Sequence, residues 1–291
     1  MTRLMTKTGA QALAAVVVGA AGALCLAALG RSRWAASTNV LMDALEATRR
    51  HGLALRYDPR ELEGLPAPVQ RYFRAVLLDG QPIITGATIA LTGRFNLSAT
   101  SERWTNFSSV QRAVTSRPGF VWDGRISLAP GVAMHVCDAY IGGVGILKPS
   151  LMGLYALGDV HGGGEFARGE LMRYFAEAAW YPTALLPSQG VRWEAIDDHT
   201  ATATLSDREL SVTMRVGFNA AGLIESAHFD ARGAMVGNRL VPTPWEGRWS
   251  NYQEHGGIRV PMTGEAAWLP AAGRRPYFRG SVTALRHFIA A

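Results

Sequence analysis

Gly119-Phe-Val-Trp-Asp-Gly-Arg-Ile-Ser-Leu-Ala-Pro-Gly-Val-Ala-Met-His-Val-Cys-Asp-Ala-Tyr140 alternates with period two on both sides of an Ala129-Pro130-Gly131 turn. Phe120, Trp122, Ile126 and Leu128 share one parity before the turn; Val132, Met134, Val136 and Tyr140 share one after it. Successive side chains on a strand point to opposite faces, so the pattern predicts an antiparallel pair with one face against a core. Asp138 falls on the apolar parity of its strand. An isolated buried charge costs several kcal/mol, so this carboxylate needs a partner, and an arginine is expected.

The same rhythm extends in both directions. Ile89, Leu91, Phe95 and Leu97 keep one parity, as do Leu210, Val212, Met214, Val216 and Phe218. Further strands are predicted over 190–196, 199–205, 223–232, 245–254, 258–268 and 277–288, which makes about ten. Turn signals such as Arg117-Pro-Gly119, Ala220-Ala-Gly222 and His255-Gly-Gly257 separate several of them. Upstream, Asn39 can cap a helix with Val40, Leu41, Ala44 and Leu45 on one side, ending near Gly52. A second helix starts at Pro66 or Pro68, places Val69, Tyr72, Phe73, Val76 and Leu77 in one stripe, and stops at Asp79-Gly80. Residues 142–164 are glycine-rich, and 170–181 read as a helix stopped by Pro182 that covers an open mouth of the sheet.

The fold class is therefore mainly β (α+β): a strongly curved antiparallel sheet or half-barrel of about ten strands, two N-terminal helices, one inserted helix and an N-terminal transmembrane helix. The division expected is 1–33 membrane anchor or uncleaved signal, 34–65 helical linker, and 66–291 one β-rich domain. The anchor rests on 23 uncharged residues between Lys7 and Arg31, since a helix needs about 20 apolar residues to cross a ~30 Å hydrocarbon core. A cleaved signal would carry a shorter apolar stretch, of about 7–15 residues. Lipidation would want a small residue before Cys25, and Leu24 stands there. These features predict attachment through residues 9–30 and a single-pass inner-membrane protein. Its body is placed on the non-cytoplasmic side, because one N-terminal span with a basic start commonly serves as an uncleaved export signal.

With 29 basic against 23 acidic groups and 48% hydrophobic residues, the 291-residue chain has a globular composition. The first 33 residues hold four basic groups and no acid, leaving 25 against 23 elsewhere. That near balance argues against a nucleic-acid partner. Two cysteines build no disulfide framework, and Cys137 reads as a small filler beside Asp138.

His161-Gly-Gly-Gly164 resembles an oxyanion-hole run, but no Gly-x-Ser-x-Gly elbow accompanies it. Gly142-Gly-Val-Gly145 lacks the spacing of a phosphate loop. Seven histidines are scattered singly, so neither a metal nor a cofactor is expected. Aromatics are abundant, with tryptophans at 104, 122, 180, 193, 245, 249 and 268 in the body. A curved sheet lined with such residues either packs solidly or encloses an apolar ligand. The second reading assigns Trp122, Tyr140, Trp180 and Trp249 to an apolar lining, with Asp138, Glu177 and Arg125 as polar contacts, although parity sends Arg125 to the face opposite Trp122. The function expected is a membrane-anchored binding protein for a lipid or other apolar small molecule. The alternatives are a hydrolase or isomerase using Asp138 or Glu177 for acid–base chemistry, and an envelope structural protein without a ligand.

Pro68-Val-Gln-Arg-Tyr-Phe73, Gly119-Phe-Val-Trp-Asp-Gly-Arg125, Ala178-Ala-Trp-Tyr-Pro182, Trp193-Glu-Ala-Ile-Asp-Asp198, Trp245-Glu-Gly-Arg-Trp-Ser-Asn-Tyr252 and Gly257-Ile-Arg-Val-Pro261 occur in this order. The set resembles an uncharacterised bacterial domain-of-unknown-function family, the one numbered 6544, over about Pro66 to Phe288. The resemblance implies no activity. The sheet pattern is also similar to the open half-barrels of lipoprotein carriers, an analogy of architecture that does not fix function.

Overall fold

The structure is a computed structural model that describes residues 7–50, 56–98, 101–237 and 239–290. Its helices are α1 (Lys7–Glu46), α2 (Ala67–Val76) and α3 (Gly164–Ala176). The first arm of strands is β1 (Ile84–Asn96), β2 (Trp104–Val114), β3 (Gly119–Ala129), β4 (Val132–Ile141), β5 (Val144–Leu151), β6 (Tyr155–Ala156) and β7 (Val160–Gly162). The second is β8 (Arg192–Ala195), β9 (Thr200–Asp207), β10 (Leu210–Phe218), β11 (Ile224–Val236), β12 (Arg239–His255), β13 (Ile258–Trp268) and β14 (Arg275–Ile289).

All fourteen belong to one open, curved antiparallel sheet. Its centre is the pair β1–β14, with Ile84 opposite Ile289 and Phe95 opposite Phe278. One arm runs from β1 through β2, β3 and β4 to β5, which carries both β6 and β7; the other runs from β14 back to β8. Because the first and last strands meet in the middle, the mid-chain strands β6 and β7 stand at one edge and β8 at the other. The segment between β7 and β8 must cross from one edge to the other, and α3 lies there, touching β4 and β5 in one arm and β10 and β11 in the other.

Alternation places two cores on the two faces. On the concave side Phe120, Trp122, Ile126 and Tyr140 join α2, α3 and the second arm in the main cluster. At one end of it Tyr72 of α2 meets Phe218 and Phe73 meets Trp193, with ring centroids 5.9 and 6.3 Å apart. On the convex side Val114, Val121, Cys137 and Ala139 take Trp34, Leu41, Met42 and Leu45 of α1. Trp34 Nε1 donates to Asp123 Oδ1 at 2.7 Å, tying α1 to β3. Burial, reinforced by Asp123 and Asp138, pushes the Cys137 thiol up to about 12, so it stays an unreactive filler.

Among the described residues fourteen strands replace the ten expected, and the four additional ones are β2, β5, β6 and β7. β2 turns Ser109, Gln111 and Ala113 to the same side as Phe107, so its buried face is mostly polar or small and hides the alternation. β5 carries Gly145 and Pro149 near the sheet edge, where proline is tolerated. Asn39 lies inside α1 instead of capping a helix, and the division expected at 33/34 falls within that continuous helix. The stop expected at Gly52 lies outside the described residues.

The membrane expectation needs correction. Among the described residues no helix is long and apolar enough to cross a membrane. Of the apolar run, the side chains of 7–17, 19 and 20 lie outside the described set, as do residues 1–6 entirely. Beyond Gly30 the helix packs on the sheet through Trp34 and Leu45. The single-pass inner-membrane placement, with its outward-facing body, is therefore not supported.

Phe73 is fully buried between Tyr72 and Trp193. Phe73→Ala is expected to cost about 3–5 kcal/mol of unfolding free energy, read as a lower urea midpoint at unchanged m-value.

Candidate functional site

As α3 crosses the concave face it turns Arg173 towards the first arm. There the guanidinium donates through Nη1 to Asp138 of β4, through Nε to Glu177 Oε1 at 2.9 Å, and through Nη2 to Gln111 Oε1 at 3.3 Å. Gln111 Nε2 in turn donates to Glu177 Oε2 at 2.7 Å, closing the ring. Phe120 and Trp122 lie 4.8 and 5.2 Å from the Arg173 Cζ, in cation–π range. Burial alone would lower the Arg173 pKa, but Glu177, Asp138 and Glu170 outweigh it and raise it. Glu177 sits where α3 tightens into a 3₁₀ turn, Glu177–Trp180, and so stays one turn beyond Arg173.

On the other side of α3 a second arginine reaches in from β11. Arg232 Nε donates to the Gly169 carbonyl at 3.0 Å, and its Nη2 stands 3.7 Å from Glu170 Oε1. Glu170 is pushed up to about 8, chiefly by burial and then by Asp138, against the lowering pull of Arg232 and Arg173. Asp138 Oδ1 and Glu170 Oε2 find no donor when both groups are carboxylates. Asp138 favours the protonated form of Glu170, through its charge and as a hydrogen-bond acceptor for that proton. A proton kept on Glu170 near neutral pH supplies a donor where two carboxylates would have none.

Between α3 and the sheet remains a cavity of about 200 Å³. Its apolar wall includes Leu91, Phe95, Trp122, Ile126, Met134 and Phe278, and its polar side includes Gln111, Asp138, Arg173, Glu177, Arg232 and Tyr277. Three of its aromatic liners are followed two residues later by glycine. A Cβ on Gly124 would overlap the Trp122 ring; one on Gly280 would come within 2.7 Å of Phe278, and one on Gly247 within 3.0 Å of Trp245. These rings lie down over the bare backbone instead of standing up into the space above it.

The cavity gathers Trp122, Asp138, Glu177 and Trp180 of the residues singled out in the sequence. Tyr140 is buried on the same face but is not among the lining residues, its hydroxyl donating to Asp207 at 2.7 Å. Trp249 packs behind Trp180 at 4.8 Å and over Gly264. Arg125 stands apart from the cavity: it is exposed on the convex side, because it is three positions from Trp122 on an alternating strand. Arg173, Arg232, Gln111 and Tyr277 were not singled out as contacts. The spacing of Arg173 to Glu177 was a usable signal, and so was the aromatic-x-Gly repeat; nothing local marks Arg232. Among the described residues no group of three or more His, Cys, Asp or Glu side chains is placed to hold a metal ion.

The chain belongs to the family of unknown function DUF6920, whose model matches residues 63–287. The family number 6544 is thus not supported, while the unknown-function status is. No curated protein matches the chain. Among solved structures it is similar to a LolA superfamily protein from Nitrosomonas europaea, at 13% identity and TM-score 0.39 over 78% of this chain and 96% of that one. It is also similar to a β-barrel-like protein of the domain of unknown function DUF1849 from Brucella abortus, at 9% identity and TM-score 0.27 over 72% and 100%. Overlays this loose carry no functional weight.

A carboxyl raised on folding holds its proton in the native state and releases it on unfolding. Glu170 therefore stabilises the fold most below its ordinary value of 4.5, and the benefit is lost as pH rises towards about 8. Chemical denaturation across that window should show stability falling with pH, and Glu170→Gln should flatten the fall; an unchanged slope in the variant would show that the proton resides elsewhere.

Proposed function

We propose that this DUF6920 chain binds an apolar small molecule in the cavity beneath α3, with Trp122 and Trp180 as apolar contacts and Asp138 and Glu177 as part of the polar side. The supporting observation is the space itself: about 200 Å³ left open beside aromatic rings laid flat over glycines. Interiors normally pack to crystal density, and voids larger than a water are few. A water takes roughly 30 Å³ of liquid volume, so the space holds about six or seven groups of that size. This is below the ~300–1,000 Å³ typical of drug-sized ligands, and fits a small molecule or one segment of a longer chain.

The hydrolase or isomerase alternative has less support. A general base needs a free carboxylate with a pKa near the working pH, whereas Asp138 and Glu177 are both occupied as partners of Arg173. An envelope protein without ligand would have no use for the open volume.

Ala266 of β13 lines the cavity and is partly buried. Calorimetric titration of the protein with hexan-1-ol, an uncharged molecule small enough for the space, should give saturable binding, and Ala266→Phe should weaken it at least tenfold while thermal unfolding stays cooperative. Native mass spectrometry of the same preparation should show a co-purifying small molecule. No saturable binding and no bound mass would leave the structural alternative standing.

A further inference from the structure

The two arginines of the site differ in how completely they are bonded. Every nitrogen of Arg173 has a partner. Arg232 is only 7% exposed, yet beyond its Nε bond to Gly169 its contacts are long. Nη1 lies 3.5 Å from the Tyr277 hydroxyl and Nη2 3.7 Å from Glu170. Charge-assisted bonds of this type normally close to about 2.7–2.9 Å. The acid opposite Nη2 is the one kept protonated by burial and by Asp138, so near neutral pH it supplies no counter-charge. A buried cation without a close anion is costly.

Tyr277 adds a second donor at the same place. Its oxygen accepts from Trp245 Nε1 at 3.0 Å and faces Arg232 Nη1, so its own hydrogen is directed elsewhere. Both Arg232 and Tyr277 line the cavity. The indoles of Trp245 and Trp268, 5.3 and 5.6 Å from the Arg232 Cζ, shield the cation from water.

From this geometry we infer that the ligand is an amphiphile with a carboxylate head, received by Arg232 and Tyr277, and a hydrocarbon chain of about seven carbons laid along Phe95, Trp122, Ile126 and Phe278. The inference rests on the cavity-binding reading and specifies its ligand class. Two N–H groups of a guanidinium edge match the two oxygens of a carboxylate, and the Tyr277 O–H supplies a third donor. The cavity volume fits a chain of this length.

The test is calorimetric titration of the full chain at pH 7 with octanoate, octan-1-ol and octylamine, which share one chain and differ in the head. Octanoate should bind at least tenfold more tightly than either of the others. Arg232→Gln should remove that preference while octan-1-ol binding stays within twofold. Tyr277→Phe should weaken octanoate several-fold and serves as the test if Arg232→Gln fails to fold. Octanoate affinity should also fall as pH passes about 8, where Glu170, facing Asp138 of β4, Arg173 of α3 and Arg232 of β11, ionises and competes for Arg232. Equal binding of octanoate and octan-1-ol would overturn the carboxylate inference and leave the cavity reading intact. Preference for octylamine would overturn it in favour of Asp138 and Glu177 as the head-group site. Binding of none of the three would remove both readings.

Discussion

A sheet whose first and last strands pair with each other carries its middle strands at its two edges, and the chain joining those edges has to cross the open face. This constraint governs the molecule. It puts α3 over the concavity, and it requires the inward side of α3 to bond to both arms at once. Arg173 makes the connection to the first arm, through Asp138 and Gln111, and Arg232 makes the one from the second arm, through the carbonyl of Gly169. Without α3 the concave faces would be left to water; with it they become one interior.

Such an interior could have been filled with hydrocarbon. Replacing a buried ionic cluster by well-packed apolar residues is often neutral or stabilising, so the Asp138–Arg173–Glu177–Gln111 ring is not explained by stability alone. Its effect is to fix α3 at one height above the sheet. The glycines at 124, 247 and 280 act in the same direction from the other side, since each lets an aromatic ring lie close to the backbone. A strap held at a set distance, above rings that lie flat, leaves a gap that side-chain relaxation does not close. Away from the cavity, around Tyr72, Phe73, Trp193 and Phe218, the same sheet packs solidly against α2.

The periodic half of this architecture is legible in the sequence. Strands such as β3, β4 and β10 advertise themselves because each buries every second side chain against apolar neighbours. β2 is silent for a reason tied to the site: its inward positions include Ser109 and Gln111, and Gln111 is spent on the polar ring. β5 is silent because Gly145 and Pro149 interrupt it near the edge. Asp138 can be placed inward from parity, and its need for an arginine follows from electrostatics, but which arginine answers depends on the edge-to-edge crossing, which no local pattern encodes. Arg232 is hidden for the same reason: it lies past a register shift in β11, between Phe229 and Arg232, that resets the alternation. Arg125 stands on the convex side, as its parity implies.

The central claim is that the volume between α3 and the sheet is open and apolar on one side. Xenon enters dry apolar cavities without needing polar partners. Crystals of the protein pressurised with xenon should show anomalous density within van der Waals distance of Trp122, Met134 and Phe278. An interior without xenon there, with those three side chains in mutual contact, would contradict the claim.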